Sequence, residues 1–238
     1  MIKGNDYSLK SEDDMKTSLN ILSLNYFGKN EKERYGSPIV DPNTKRLSKT
    51  FSEYLKDEDY RSFVFDILNL AKYYNEKIQN SGNDLILYNQ YTRLDFLKLV
   101  NWRNDKKNMA NNIYGYRVLD GYIPLFITYH KSEDIDDSIK YEDHFLNQEE
   151  LAWVSRKNVS LKNKEINQII NHKEDGKTIY IFVKKNDSEG SQHYYLGEAE
   201  YMKGSANETT NVTEDKIVTM NFIMKTPIRD DIYRYLVN

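Results

Sequence analysis

The hydrophobic pattern of this 238-residue chain changes period once, at Asn80-Ser81-Gly82-Asn83, and that change constrains the fold more than any other feature. Before it, apolar residues recur at helical spacing: Met15, Leu19 and Leu22, then Leu47, Phe51, Tyr54 and Leu55, then Val64, Ile67, Leu68, Ala71, Tyr74 and Ile78. After it, short alternating or continuous apolar runs dominate, at residues 114–119, 123–130, 178–185, 193–199 and 217–225. Gly121, Gly176, Gly190 and Gly204 punctuate them. Helices are expected from Thr92 to about Trp102, around Glu149–Trp153, through Ile166, Ile169 and Ile170, and over Asp230–Val237. The chain therefore reads as α+β. Residues 1–84 form a helical coupling or support subdomain, and 85–238 form a curved antiparallel sheet or barrel. Without a strand–helix–strand rhythm, a doubly wound nucleotide fold is disfavoured.

Composition removes several kinds of chemistry. With no cysteine there is no thiolate nucleophile and no cysteine-ligated zinc. The four histidines (His130, His144, His172 and His193) show no metal-ligand spacing. Phosphate-loop, dinucleotide-binding and nucleophile-elbow signatures are missing. Asp175-Gly176-Lys177 and Glu214-Asp215-Lys216 match a nuclease tripeptide by type but lie at a turn and at a strand start. The expectation is a chain with no catalytic centre and no cofactor. No apolar run is long enough for a membrane span, and a cytoplasmic protein without a membrane partner is expected. The net charge of -3 makes any binding of nucleic acid depend on a local patch and a shaped pocket.

The stretch 121–156 is the most informative. Tyr129, Tyr141 and Trp153 are flat groups able to converge at one strand end, and Asp143 is a carboxylate among aromatics, where an unpaired charge is costly. Lys131 and Arg156 flank them, able to meet phosphates. The plainer alternative is that the rings only pack, Asp143 caps a helix and Arg156 pairs with a carboxylate.

Taken together, Tyr91-Thr-Arg93, the run from Pro124 to Lys131, Tyr141-Glu-Asp-His-Phe145, Trp153-Val-Ser-Arg156, Phe182-Val-Lys-Lys185 and Tyr195-Leu-Gly197 carry a resemblance. In this order they resemble a C-terminal domain of bacterial helicase and phospholipase-D-like-nuclease defence proteins, the ATP-dependent type IV restriction enzymes of staphylococci among them. The resemblance spans about Leu85 to the end, and the helical half resembles the segment preceding that domain. It implies a barrel similar to the SET-and-RING-associated fold. The implied partner is double-stranded DNA carrying 5-methylcytosine or 5-hydroxymethylcytosine, with the modified base flipped into an aromatic pocket. The helicase and nuclease would lie upstream in the same parent chain, of which this sequence would be the C-terminal part.

On that reading Tyr129 and Tyr141, or Trp153 in place of one, stack on the base. Asp143 accepts from cytosine N4, and Thr128 or Ser155 meets the base edge. Arg93, Lys131, Arg156, Lys184 and Lys185 are the candidates for phosphate contacts. Two other functions stay open: a coupling module without base readout, and an enzyme acting on a base or nucleotide through Asp143 or His144.

Overall fold

The computed structural model describes residues 12–81, 85–100, 115–130, 143–211 and 214–238. They divide into two compact units: the described residues of 1–84 and 97–109, and those of 85–96 and 110–238.

The described residues of 1–84 in the first unit form four helices, α1 (Glu12–Leu22), α2 (Lys29–Tyr35), α3 (Lys49–Tyr54) and α4 (Glu58–Ser81). Their ends follow local chemistry. Gly28 donates its backbone N–H to the Glu31 carboxylate at the start of α2. At the start of α3 the Ser48 hydroxyl accepts from the Phe51 N–H (3.2 Å) and donates to the Pro38 carbonyl (2.6 Å). The long α4 leaves Phe63, Ile67, Leu70 and Tyr74 exposed. The expected hinge at 80–83 lies largely outside the described residues, since only its first two positions are included, at the end of α4.

In the second unit, Thr92 and Asp95 cap each other. The Thr92 hydroxyl accepts from the Asp95 N–H (3.1 Å), and the Asp95 carboxylate accepts from the Thr92 N–H (3.0 Å). This reciprocal pair fixes the change from β1 (Gln90–Tyr91) to α5 (Arg93–Leu99). Then follow β2 (Tyr122–His130), β3 (His144–Phe145), β4 (Glu150–Val154), α6 (Lys164–Ile170), β5 (Thr178–Asn186) and β6 (His193–Tyr201). β7 (Asn207–Thr210), β8 (Lys216–Met224) and α7 (Asp230–Val237) complete the unit. The sheet runs β2-β5-β6-β8-β4-β3, with β1 beside β6 and β7 beside β8.

Two expectations are corrected here. The sheet is curved but unclosed among the described residues, and it is mixed: β2 pairs with β5 in parallel, Phe126 opposite Phe182 and Thr128 opposite Lys184. The apolar run Tyr122–Tyr129 is almost continuously buried, as in strands covered on both faces. At the end of the sheet path, β2 also tolerates Pro124, which has no N–H to give a ladder. The helix expected around Glu149–Trp153 is strand β4. Leu151 and Trp153 alternate inward, and pairing with β8 outweighs the helix propensity of Glu-Leu-Ala.

The curvature has a local cause. Between Ile181↔Gly197 and Phe182↔Tyr195 the β5–β6 register shifts, so Leu196 is an inserted residue. Gly197 there holds φ at 113°, a backbone state side chains oppose. Below the bulge β6 pairs with β1, and above it with β8. One sheet face, with Ile123, Leu125, Ile127, Ile179, Ile181, Met220 and Phe222, forms the main core with Ile166 and Ile169 of α6 and Leu236 of α7.

Candidate functional site

Strand alternation sorts the predicted residues onto two faces. Tyr129 lies on the main-core side, where its ring stacks on Phe145 with centroids 5.8 Å apart and planes 13° apart. Burial raises the Tyr129 phenol pKa, and the backbone of Phe145 opposes that shift. Asp143 is two residues before Phe145 and is buried, and its carboxylate accepts from the Val154 N–H at 2.9 Å. The β3–β4 ladder (His144↔Ala152, Phe145↔Leu151), continued by one step, sets Asp143 opposite Trp153. Thus Tyr129, Asp143 and Trp153, distant in sequence, form a wall in the sense that all three lie on the sheet face that carries Phe145. Tyr141 and Lys131 lie outside the described residues, as does the acidic segment 133–137.

Within that wall the roles differ. Trp153 is wedged between Tyr116 (5.0 Å, edge-on) and Phe222 (5.8 Å), so it supports the wall from the core. Ser155 is structural: its hydroxyl accepts from the Val218 N–H at 2.9 Å and extends the β4–β8 pairing. Arg156 lies over the Tyr116 ring at 4.1 Å and is ion-paired with Glu165, which satisfies the guanidinium inside the protein. The pairing with a carboxylate read as the plainer alternative for Arg156 is therefore present. No helix follows Asp143 for it to cap.

The opposite face carries a different set. Thr128, one residue from Tyr129, necessarily points the other way, so it cannot share Tyr129's wall. It pairs across with Lys184, and continuing the Val183↔Tyr194 register brings His193 alongside Lys184. Lys184 is buried, donating to the Gly190 carbonyl at 2.8 Å and pairing with Asp187 at 2.9 Å, so it clasps the tight turn after β5. Lys185 faces away from it, with its ammonium 5.2 Å from the Tyr235 ring. Arg93 opens α5 and sits over the Phe126 ring at 5.5 Å. Burial lowers its pKa against the pull of Asp187. Phe126 in turn stacks on Phe182 (4.5 Å, 11°) and meets the His193 ring edge-on at 5.2 Å.

His193 escaped the sequence reading, as did Phe145 and Tyr116 in their supporting roles. Their importance comes from cross-strand neighbours, which no local pattern encodes. Of the two nuclease-like tripeptides, the first is a turn after α6, where Gly176 takes a φ of 63°, and the second runs into the start of β8, with Asp215 paired with Lys157 at 2.9 Å. Among the described residues no group of three or more His, Asp or Glu side chains could hold a metal ion. No helix among the described residues is long and apolar enough to cross a membrane.

Family comparison covers both units. Residues 85–236 match a domain of unknown function, DUF3427, a span holding every motif quoted above. The chain belongs to the DUF3427 family. In addition, residues 4–80 match a second domain of unknown function, DUF8090. No curated protein matches the chain. Among solved structures, the SUVH5 SRA domain in complex with hemi-methylated CG DNA is similar at 10% identity and TM-score 0.40, covering 61% of this chain and 92% of that one. The same SRA domain bound to fully hydroxymethylated CG DNA gives 11%, 0.39, 61% and 92%. The DNA modification-dependent restriction endonuclease AspBHI gives 11%, 0.37, 61% and 78%.

Proposed function

We propose that this DUF3427 chain is a target-recognition module that binds duplex DNA containing 5-methylcytosine or 5-hydroxymethylcytosine and receives the flipped base at the Tyr129–Asp143 wall. The observation that carries the reading is the buried Asp143 carboxylate, anchored by the Val154 N–H, on the wall where Tyr129 lies flat on Phe145. A carboxylate fixed beside a flat ring suits cytosine: it accepts from N4–H, whereas thymine presents an oxygen there and is repelled. Extruding a base costs a few kcal/mol, and each stacking contact returns about 1–3 kcal/mol. Phe145 covers one face of Tyr129, so the base stacks on the other, with Tyr141 the second wall. A methyl in an apolar notch adds roughly 1 kcal/mol, about a fivefold preference.

On this reading Lys131 and Lys185 remain for contacts to the DNA backbone, because Arg156 and Lys184 are neutralised internally. The module has no catalytic centre and works with helicase and nuclease domains upstream in the same cytoplasmic parent chain. The coupling role falls to residues 1–84, and the exposed apolar residues of α4 favour it.

The test is titration of matched duplexes with and without one 5-methylcytosine. Preference for the modified duplex is expected, and equal affinity would end the proposal. Asp143→Ala should erase the preference while leaving weak, salt-sensitive binding. Asp143→Asn should do the same, since Asn can still accept from the Val154 N–H yet turns an amide N–H toward the base. Preference retained in both variants would show that the carboxylate does not read N4. Conversion of the modified strand to a new product would instead favour an enzyme.

A further inference from the structure

We propose that the sheet face opposite Tyr129 carries a second binding site, for a hydrogen-bearing oxyanion of the phosphate class, formed by Arg93 and His193 beside Phe126 with Lys184 behind them. It is independent of the base-reading proposal.

Three observations converge. First, among the described residues Arg93 makes no hydrogen bond and no ion pair, and its Nε is buried without a partner. A half-buried guanidinium is costly without a countercharge. Its nearest carboxylate influence, Asp187, is already committed to Lys184. Second, His193 is 1% exposed, and its Nε2 has no partner. Its Nδ1 lies 3.1 Å from the Ser191 carbonyl, which can only accept; Nδ1 therefore carries the proton and Nε2 is a bare acceptor. Third, Arg93 and His193 both abut the ring of Phe126, at 5.5 and 5.2 Å, so the unpaired donor and the unpaired acceptor border the same side chain.

The missing ligand must therefore offer negative oxygen to Arg93 and a hydrogen to His193. Hydrogen phosphate does both through P–O⁻ and P–OH. Sulfate and chloride carry no hydrogen, and neither does a DNA phosphodiester at neutral pH. The site thus separates orthophosphate, or a singly protonated phosphate monoester, from the nucleic-acid backbone. The charged and titratable groups facing His193 are Arg93 of α5, Lys184 of β5 and Asp187 of the turn after it, with Tyr91 of β1 opposite in register.

The whole ¹⁵N-labelled chain is titrated at pH 7 with inorganic phosphate, with sulfate and with a short unmodified duplex, chloride holding ionic strength constant. The His193 ring nitrogens are the readout. Phosphate should shift Nε2 saturably, sulfate should bind at least about tenfold more weakly, and the duplex should not compete. Arg93→Gln should weaken phosphate about tenfold or more through loss of a charge-assisted contact. If that variant does not fold, the wild-type comparison of phosphate with sulfate decides alone. No saturable shift, equal response to sulfate, or displacement by the duplex would each overturn the proposal. The last would reassign Arg93 to the DNA backbone. Because no modified base is present, the result is separable from that of the methylcytosine titration.

Discussion

Acidifying the protein from pH 7.5 to pH 5 in phosphate-free buffer should cost the sheet unit about 2 kcal/mol through His193 alone. Burial, with Arg93 and Lys184 nearby, depresses the His193 pKa to about 4, against 6.5 for the free side chain. Between those values the unfolded chain binds a proton that the native imidazole refuses. The contribution is fully present above pH 6.5 and declines as pH falls toward 4. At the lower limit the loss is about 3 kcal/mol, and by pH 5 about two-thirds of it is spent. Asp41, Asp231 and Glu200 have lowered pKa values, so their stabilising effects begin to fade only as pH falls into the ordinary carboxylate range, beneath this window.

The assay is urea unfolding followed through β5 and β6 amide cross-peaks at the two pH values, for wild type and His193→Asn. The Asn amide can still donate to the Ser191 carbonyl but does not titrate. Wild type should lose about 2 kcal/mol more than the variant. Equal losses would show that His193 is protonated readily in the folded state, and the argument for a buried, neutral, accepting Nε2 would fall with it.

Two further substitutions probe what holds the sheet. Phe126→Ala removes a ring stacked on Phe182 and buried to 3% exposure, and should destabilise the unit by about 3–5 kcal/mol in the same urea assay. Gly197→Ala adds a Cβ at 3.2 Å from Leu87 Cδ2 in a backbone held at φ 113°. A loss of about 1–3 kcal/mol is expected, with the β6–β1 amides the first to lose hydrogen-exchange protection; an unchanged midpoint would mean the bulge does not need glycine.

Much of the second unit was legible locally. Four of the five apolar runs became β2, β5, β6 and β8, whereas the described part of the run 114–119 forms only the isolated bridge between Tyr116 and Leu125; α7 has the bounds its amphipathic pattern implied. The helix expected to begin at Thr92 does begin there, and Asp95 completes a reciprocal cap with it. These features depend on neighbours within four residues or on a period of two, both of which are written in the sequence. The segment Glu150–Val154 was misread because its propensity is helical while its partner, β8, lies some 70 residues away.

The site divides along the same line. From the sequence alone came the identity of the carboxylate, the aromatic excess around it and the ordered motifs that the family match spans. Only the tertiary structure decided that Tyr129 and Thr128 look in opposite directions, and that Arg156 and Lys184 are spent on Glu165 and Asp187. It alone left Arg93 Nε and His193 Nε2 without hydrogen-bond partners among the described residues. Side-chain type is a property of one residue. Whether a charge is neutralised or available is a property of register, and one step along a strand reverses the face it serves.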